Sequence, residues 1–303
     1  MTITDVPGVR VGHWTDITGV TGVTVVVLPD PNVTTVEVRG AAPGTRETAL
    51  LASGMKVESA HAIALCGGSA FGLAAADGVM AELEKDGRGY PTPAGLVPIV
   101  PAAVIYDLAV GDPKARPGPA AGAAAYRSAT AGPVEMGCVG AGTGATVAGW
   151  RGFEHRRKGG VGSAAVRLGE VTVGALAVVN AVGDIFTLEG RPLTGGSPVP
   201  LAGTAEAGPL GSTTLVVVAT DAGLDRPLLT RLCVRGHDAM AVCVRPSHTR
   251  YDGDAVFAVS CGTVPGDPDL VGEAAFAVVG RAIEAALGAA RSLAGIPAVE
   301  DGA

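Results

Sequence analysis

Three consecutive hydroxyl side chains stand where a flexible stretch of the chain becomes apolar. Residues 208–222 read GPLGSTTLVVVATDA, so Ser212, Thr213 and Thr214 precede a run of β-forming residues. A serine or threonine hydroxyl is a weak nucleophile until a base takes its proton. The sequence offers no evident Ser-His-Asp arrangement and no G-x-S-x-G turn. The hydroxyls therefore indicate either the polar start of a buried strand or a nucleophile with an unusual base.

A threonine that begins a chain carries its own base, because its free α-amine can accept the hydroxyl proton. Such an amine titrates at about 7.7 to 8.0, close to neutral pH. This chemistry requires a break in the peptide bond before the threonine, with a flexible segment upstream and a rigid strand downstream. The residues GPLGS before Thr213 and the strand after it meet both requirements. Many hairpins meet them too, so composition alone favours an ordinary strand start.

The wider pattern is that of a loop-rich α/β protein, in which β-branched runs predict strands and amphipathic runs predict helices. The predicted strands are 23–28, 61–66, 171–180, 215–220 and 255–260, with an extended stretch at 97–108 and mixed strand character at 134–147. The predicted helices are 71–83, 119–131, 225–240 and 269–293, and 181–211 is predicted to be a mobile connector. Because several strands follow one another without a helix between them, layered sheets with helices outside fit better than a doubly wound parallel sheet.

Two further motifs favour structural interpretations. The glycines of GAGTGA at 140–145 match a dinucleotide-binding pattern, but no helix start follows them and no acidic residue lies about 20 positions on. The five histidines are dispersed and give little support for a metal site. Asp252 and Asp254 follow His248 in HTRYDGD, and on local sequence alone they are favoured as turn residues. We therefore expect neither cofactor nor metal.

Charge and composition argue against several classes of partner. The 303 residues carry a net charge of −7, and the basic cluster at 151–158 is interpreted as a solvated loop, so we expect no nucleic-acid partner. No apolar run approaches the roughly 18 residues of a membrane helix, so no membrane partner is expected, and the N-terminal residues do not resemble a secretory signal. Five cysteines lie in or beside apolar runs, as buried free thiols do. The cytoplasm is the expected compartment.

Motifs distributed along nearly the whole chain give a more specific signal. They are VPGVRVGHWTD near the N-terminus, RGAAPGTRET at 39–48, LCGGSAFGLAAADGVM at 65–80, VPIVPAAVIYDL at 97–108, GAGTGATV at 140–147, KGGVGSA at 158–164, VGALAVVNAVGD at 173–184, STTLVVVATDA at 212–222 and HTRYDGDAVFAV at 248–259. In this order they resemble the self-cleaving L-aminopeptidase/D-esterase family, which includes β-peptidyl aminopeptidases and nylon-oligomer hydrolases. The resemblance implies an αββα sandwich of the N-terminal-nucleophile type, formed by a single domain over 1–303.

The resemblance also implies an inactive precursor that cleaves itself between Ser212 and Thr213, giving chains 1–212 and 213–303. Thr213 would then be the nucleophile of an aminopeptidase or amidase acting on small peptides or amino-acid amides. Asn180, in VVNAVG, matches an asparagine that helps to bind the oxyanion. Tyr106, in VIYDL, matches a tyrosine of the active site. The family further implies a homo-oligomer, commonly a tetramer of cleaved protomers.

Asp252 and Asp254 match an acidic pair that orients the threonine and its amine in the nylon-hydrolase branch. Two departures from the family pattern stand beside these matches. Ser212 occupies a position that is often asparagine, and the lysine of the nylon-hydrolase branch is replaced at about Gly149. Lys158, in KGGVG, is not a secure substitute for that lysine. Two alternatives stay open: an ornithine/glutamate-type acyltransferase, because such enzymes resemble this architecture and also self-cleave before a threonine, and an uncleaved, non-catalytic binding or assembly protein, which the two departures support.

Overall fold

Two five-stranded sheets face each other, and helices cover their outer faces. The computed structural model describes residues 1–199 and 211–299. The strands of the two sheets are β1 (Arg10–Asp16), β2 (Thr21–Val27), β3 (Val33–Val38), β4 (Thr45–Arg46), β5 (Ala62–Cys66), β6 (Ala102–Val104), β7 (Gly160–Leu168), β8 (Val171–Asn180), β9 (Thr213–Ala222) and β10 (Ala255–Val264). The helices are α1 (Ala75–Lys85), α2 (Pro119–Arg127), α3 (Arg226–Cys243) and α4 (Pro268–Gly288).

Shorter elements connect these strands and helices. Three two-stranded pairs lie outside the main sheets: Tyr90–Thr92 with Gly95–Val97, Thr146–Val147 with Arg157–Lys158, and Asp184–Ile185 with Val244–Arg245. Single 3₁₀ turns form at Ile3–Asp5, Ala49–Leu51, Ser69–Ala74, Gly140–Gly142, Gly149–Arg151 and Phe153–His155. No helix in the described ranges is long and apolar enough to cross a membrane.

The order of strands places β9 inside the second sheet. The first sheet runs β1-β2-β5-β6-β4, and the second runs β7-β8-β9-β10-β3. Strand β9 pairs antiparallel with β8 on one side and parallel with β10 on the other. Its first residue, Thr213, is therefore already paired with a residue of β8.

Alternation along β9 produces the layers. Leu215 and Val217 pack in the core between the two sheets, whereas Val216 and Val218 pack in the core under α3 and α4. A third core joins the outer face of the first sheet to α1 and α2. Helix, sheet, sheet and helix thus form four layers, which confirms the αββα sandwich expected from the resemblance.

Several predicted boundaries shift in the structure. Within the stretch 97–108, strand is confined to Val97, at the end of Gly95–Val97, and to Ala102–Val104, because prolines interrupt it, and the glycine-rich stretch 134–147 is mainly turns. The helix predicted over 71–83 is a 3₁₀ turn that leads into α1, and α4 ends five residues before Leu293. The predicted mobile connector was wrong for its first part, since Ile185 and Phe186 are fully buried, while its residues 200–210 lie outside the described ranges.

Candidate active site

Thr213 and Asn180 face each other across two neighbouring strands. Thr213 begins β9, Asn180 ends β8, and the two residues are direct partners in the antiparallel register. Both side chains are buried, with 4% and 2% of their surfaces exposed. Directly opposite residues of an antiparallel pair have Cβ atoms about 5 Å apart. The fold therefore brings together two predicted site residues that lie 33 positions apart in the sequence.

Hydrogen bonds fix the orientation of the Asn180 amide. Its Oδ1 accepts a bond from the backbone N–H of Thr146 at 2.9 Å, and its Nδ2 donates to the backbone carbonyl of Tyr106 at 3.3 Å. An NH₂ group has two N–H donors, so one remains available to a negatively charged oxygen. Tyr106 contributes this carbonyl, and its side chain packs beside Gly211, just before the hydroxyl triplet.

The carbonyl of Ser212 is the most closely contacted group at the predicted cleavage bond. Its oxygen lies 2.5 Å from Oγ1 of Thr213, which donates a hydrogen bond to it. The backbone N–H of Gly253 donates a second bond to the same oxygen at 2.8 Å. The threonine hydroxyl is thus held at the carbonyl group that it would attack. The N–H of Gly253, the second donor, polarises that carbonyl.

The acidic pair runs alongside the hydroxyl triplet. Ser212 and Asp252 form a parallel bridge, and Oδ1 of Asp254 accepts a bond from the N–H of Thr214 at 2.7 Å. The other carboxylate oxygen of Asp254 bonds Nδ1 of His248 at 2.7 Å. Asp252 instead closes a local turn, since its Oδ2 accepts bonds from the N–H and the hydroxyl of Thr249. The two carboxylates therefore differ in their contacts, although both are buried.

His248 extends this arrangement into the protein. Its Nε2 is buried and has no hydrogen-bond partner in the described part of the chain. The ring of His237 meets it edge-on at a centroid distance of 4.9 Å, and Nε2 of His237 is bonded to the carbonyl of Glu37. Burial lowers the pKa of His237 to about 4, so that ring is neutral near pH 7. Asp254 is consequently held on one side by a histidine and on the other by the start of β9.

The segment after β3 supports the turn that carries both acids. The N–H of Ala42 donates to the carbonyl of Asp252 at 2.8 Å, and the N–H groups of Arg39 and Gly40 donate to the carbonyl of Asp254. A side chain at Gly40 would collide with backbone atoms of Asp252 and Asp254, so only glycine permits this approach. The motif RGAAPGTRET is thereby tied to the motif HTRYDGD.

Burial, followed by the neighbouring charge of Asp254, raises the pKa of Asp252 to about 6. A folded-state pKa above the ordinary value means that wild-type stability falls as the pH rises from about 4 to about 6. We expect Asp252→Asn to increase the free energy of unfolding at pH 8 by on the order of 1 to 3 kcal/mol, with a corresponding rise in melting temperature, and to change it little at pH 4. Calorimetry at both pH values, with Thr213→Val present in both chains to keep them intact, measures the difference.

The exposed carboxyl of Glu170 provides the control for this pH comparison, because Glu170→Gln removes one charge at the surface. At each of the two pH values, this substitution should leave the melting temperature nearly equal to that of the parent chain. A destabilised Asp252→Asn chain at pH 8 would contradict the expectation, since it would show that the charged carboxylate stabilises the fold.

The lysine of the nylon-hydrolase branch is replaced here at about Gly149, and the nearby Lys158 has a different position and set of contacts. Lys158 is fully buried, and its Nζ donates to the carbonyls of Thr143 and Ala145. Burial lowers its pKa to about 8. It therefore fastens the glycine-rich turn in place. At Gly149, a Cβ would lie 3.4 Å from Nε of Arg156, so a different cation occupies the neighbourhood of the missing lysine side chain.

The structure thus gathers all six predicted residues into one region, with Tyr106 joined through its backbone carbonyl. Sequence reasoning missed two backbone donors, the N–H groups of Gly253 and Thr146, because a motif does not display hydrogen-bond direction. It also left His248 outside the site, although its place four residues before Asp252 was a usable signal. The described residues contain no cluster of three or more acidic, histidine or cysteine side chains able to hold a metal.

Comparison with known proteins identifies the family of the chain. The profile of peptidase family S58 matches residues 1–299. An uncharacterized aminopeptidase of Mycobacterium leprae is 42% identical, over 97% of this chain and 92% of its own length. A 6-aminohexanoate-oligomer endohydrolase of Kocuria is 32% identical, over 84% of this chain and 74% of its own.

A solved structure supports the same assignment. The L-aminopeptidase D-Ala-esterase/amidase of Ochrobactrum anthropi, described as a prototype for the serine aminopeptidases and a variant of the Ntn-hydrolase fold, has a TM-score of 0.77 and 25% identity. The match covers 96% of this chain and 87% of that one. The chain belongs to peptidase family S58 and is a peptide-bond hydrolase with the Ntn-hydrolase fold.

Proposed function

We propose that the chain cleaves its own Ser212–Thr213 bond and then acts as an aminopeptidase or amidase with Thr213 as its N-terminal nucleophile. One observation carries the proposal: Oγ1 of Thr213 and the N–H of Gly253 both contact the carbonyl oxygen of Ser212, at 2.5 and 2.8 Å. Small peptides and amino-acid amides are the proposed substrates, as the family membership and the aminopeptidase relatives support.

Self-cleavage begins when Oγ1 of Thr213 attacks the carbonyl carbon of Ser212. The carbonyl electron pair moves to the oxygen, where the Gly253 N–H stabilises the negative charge. Collapse of this intermediate breaks the C–N bond, the hydroxyl proton ends on the Thr213 nitrogen, and an ester joins the two segments. Water then hydrolyses the ester, which leaves a carboxylate on Ser212 and a free amine and hydroxyl on Thr213.

Substrate hydrolysis repeats this chemistry with a different carbonyl. The new α-amine takes the proton of the Thr213 hydroxyl as the oxygen attacks the substrate. The free N–H of Asn180, one strand away, is placed to bind the developing oxyanion, a contribution of about 3 to 4 kcal/mol in comparable sites. The amine passes the proton to the leaving nitrogen, and water releases the acyl group. The Asp254–His248 pair acts indirectly, because it positions the start of β9 through Thr214.

Threonine at position 213, rather than serine at position 212, is favoured by position in the fold. Thr213 is the first residue of β9 and the partner of Asn180, whereas Ser212 precedes the strand. The relative from Ochrobactrum anthropi is described as a serine aminopeptidase, so the identity of the nucleophile in this chain needs its own measurement.

Intact mass spectrometry of the purified protein, combined with hydrolysis of aminoacyl-p-nitroanilides, tests the proposal. We expect chains 1–212 and 213–303 and release of p-nitroaniline. A single chain of 29.8 kDa without activity would overturn the proposal and favour the binding protein. Cleavage one residue earlier would transfer the nucleophile to Ser212, and would likewise contradict the assignment of Thr213.

We further propose that the cleaved protomers form a cytoplasmic homotetramer. The family resemblance supports the tetramer, and the five cysteines, which are all free thiols, support a reducing compartment. The mass of the particle in solution tests the first of these, and a monomer would overturn it.

A further inference from the structure

Three segments line a cavity of about 320 Å³, and two of them follow residues that hydrogen-bond the Asn180 amide. One wall is formed by Ala109 and Val110, three and four residues after Tyr106, whose carbonyl binds the Asn180 amide. A second wall is formed by Phe153 and Arg156, and residues 294–297 complete the lining. The cavity is within the size range of small-molecule sites.

The wall that contains Arg156 is also connected to the Asn180 amide, through Thr146 and Gly149. Thr146 binds Asn180 through its N–H, and Gly149 follows three residues later, beside the guanidinium of Arg156. Three extended residues span at most about 11 Å. Both walls therefore begin within about the length of a short peptide from the atoms that would hold the oxyanion. This separation is short enough for the leaving part of a peptide bound at Thr213 to span it.

The guanidinium of Arg156 has no hydrogen-bond or ion-pair partner in residues 1–199 and 211–299. It is only partly exposed, it lies 4.3 Å from the centroid of the Phe153 ring, and burial lowers its pKa. The neighbouring Arg151 differs, because two bonds to Asp184 and one to the carbonyl of Thr194 occupy its donors. Arg156 is therefore an available cation, whereas the charge of Arg151 on the same loop is neutralised by Asp184.

The chemistry of the cavity selects an anion with an apolar body. Alanine, valine, isoleucine and proline side chains form most of its lining, and the arginine fork matches the two oxygens of a carboxylate. Glu154 also lines the cavity, but its carboxylate faces His155 at 3.6 Å and leaves Arg156 unpaired. A carboxylate carried by a small apolar residue would neutralise the charge of Arg156 and would place its side chain against the apolar lining.

We infer that this cavity binds the leaving residue of a short peptide and that Arg156 holds the free C-terminal carboxylate of that residue. The inference rests on the proposed function, because it places the leaving group relative to an attack by Thr213. It makes dipeptides with an uncharged second residue the favoured substrates. The corresponding peptide amides lack the carboxylate and lose the contact.

The test compares L-leucyl-L-alanine with L-leucyl-L-alaninamide on the same enzyme preparation. The wild type should hydrolyse the free acid with a kcat/KM about 10- to 100-fold higher, the size expected of a charge-assisted hydrogen bond. Arg156→Met should reduce this ratio to about one, and Arg156→Lys should retain part of it. A ratio on one preparation is independent of how much of the variant folds.

Arg157→Met is the matched control, because the Arg157 guanidinium bonds backbone carbonyls of the same loop and does not line the cavity. It should keep the wild-type ratio. Equal rates for acid and amide in the wild type, or an unchanged ratio in Arg156→Met, would overturn the inference. Failure of the proposed function is distinguishable, since p-nitroanilide substrates and the leucyl peptides would then all remain uncleaved.

Discussion

Thr213→Val should leave the protein as one uncleaved chain with no peptidase activity. Valine keeps the shape of threonine and its preference for a strand, but it has no oxygen with which to attack the Ser212 carbonyl. The buried position should stay filled, so the sheet should form normally. A denaturing gel and intact mass spectrometry report the cleavage, and release of p-nitroaniline reports the activity. We expect both to fall below detection.

The neighbouring threonine offers a close control. The hydroxyl of Thr214 is buried and has no hydrogen-bond partner in the described ranges, so Thr214→Val removes no hydrogen bond there. This variant should cleave and hydrolyse substrate as the wild type does. Cleavage of the Thr213→Val chain at the same bond would show that another group attacks Ser212, and would exclude Thr213 as the nucleophile.

Gly253→Ala should stop or greatly slow self-cleavage while allowing the chain to fold. A Cβ at residue 253 would lie 2.8 Å from Oγ1 of Thr213 and 2.8 Å from the carbonyl of Ala42. The threonine hydroxyl must then move from the carbonyl that it approaches, and the Gly253 N–H must shift with the turn. Loss of one oxyanion donor costs about 100- to 1,000-fold in rate in comparable sites. A time course of cleavage after synthesis measures the effect.

Gly288→Ala serves as the glycine control, because a Cβ at the end of α4 would meet no atom within 4 Å. Its cleavage should follow the wild-type time course. Normal cleavage of Gly253→Ala would contradict the expectation, since it would show that a Cβ beside Oγ1 of Thr213 does not displace the hydroxyl from the Ser212 carbonyl. Circular dichroism shows whether the Gly253→Ala variant is folded.

Several strands with β-branched patterns were predictable, whereas the glycine- and alanine-rich strand β7 was not. VTVVVL, VTVGALAVVN and LVVVAT each lie within or overlap an observed strand, because branched side chains fill both faces of a buried sheet. Strand β7 has the sequence GVGSAAVRL, and a side chain at Gly162 would collide with the carbonyl of Ala282 in α4. The glycine at position 162 is required by a helix more than 100 residues away in the sequence, so no local pattern could indicate this strand.

The site shows the same division between local and distant information. His248, Asp252 and Asp254 share one turn, so their proximity follows from sequence spacing. The meeting of Thr213 with Asn180 depends on strand register, and only the family resemblance indicated it beforehand. The direction of the Gly253 N–H depends on the path of the turn around Ser212. Backbone donors of this kind carry no residue-type signal, which is why the structure was needed to find them.

The position of β9 also determines what cleavage does to the folding of the molecule. Residues 213–303 would contribute β9 and β10, while β8 and β3, the strands on either side, belong to residues 1–212. Neither product retains a complete second sheet, so each depends on the other for its backbone hydrogen bonds. The intact precursor can assemble as a unimolecular process, whereas the separated products must find each other in solution. Maturation would thus make the stability of the enzyme depend on its concentration, and the native state would be reached more readily before the cut than after it.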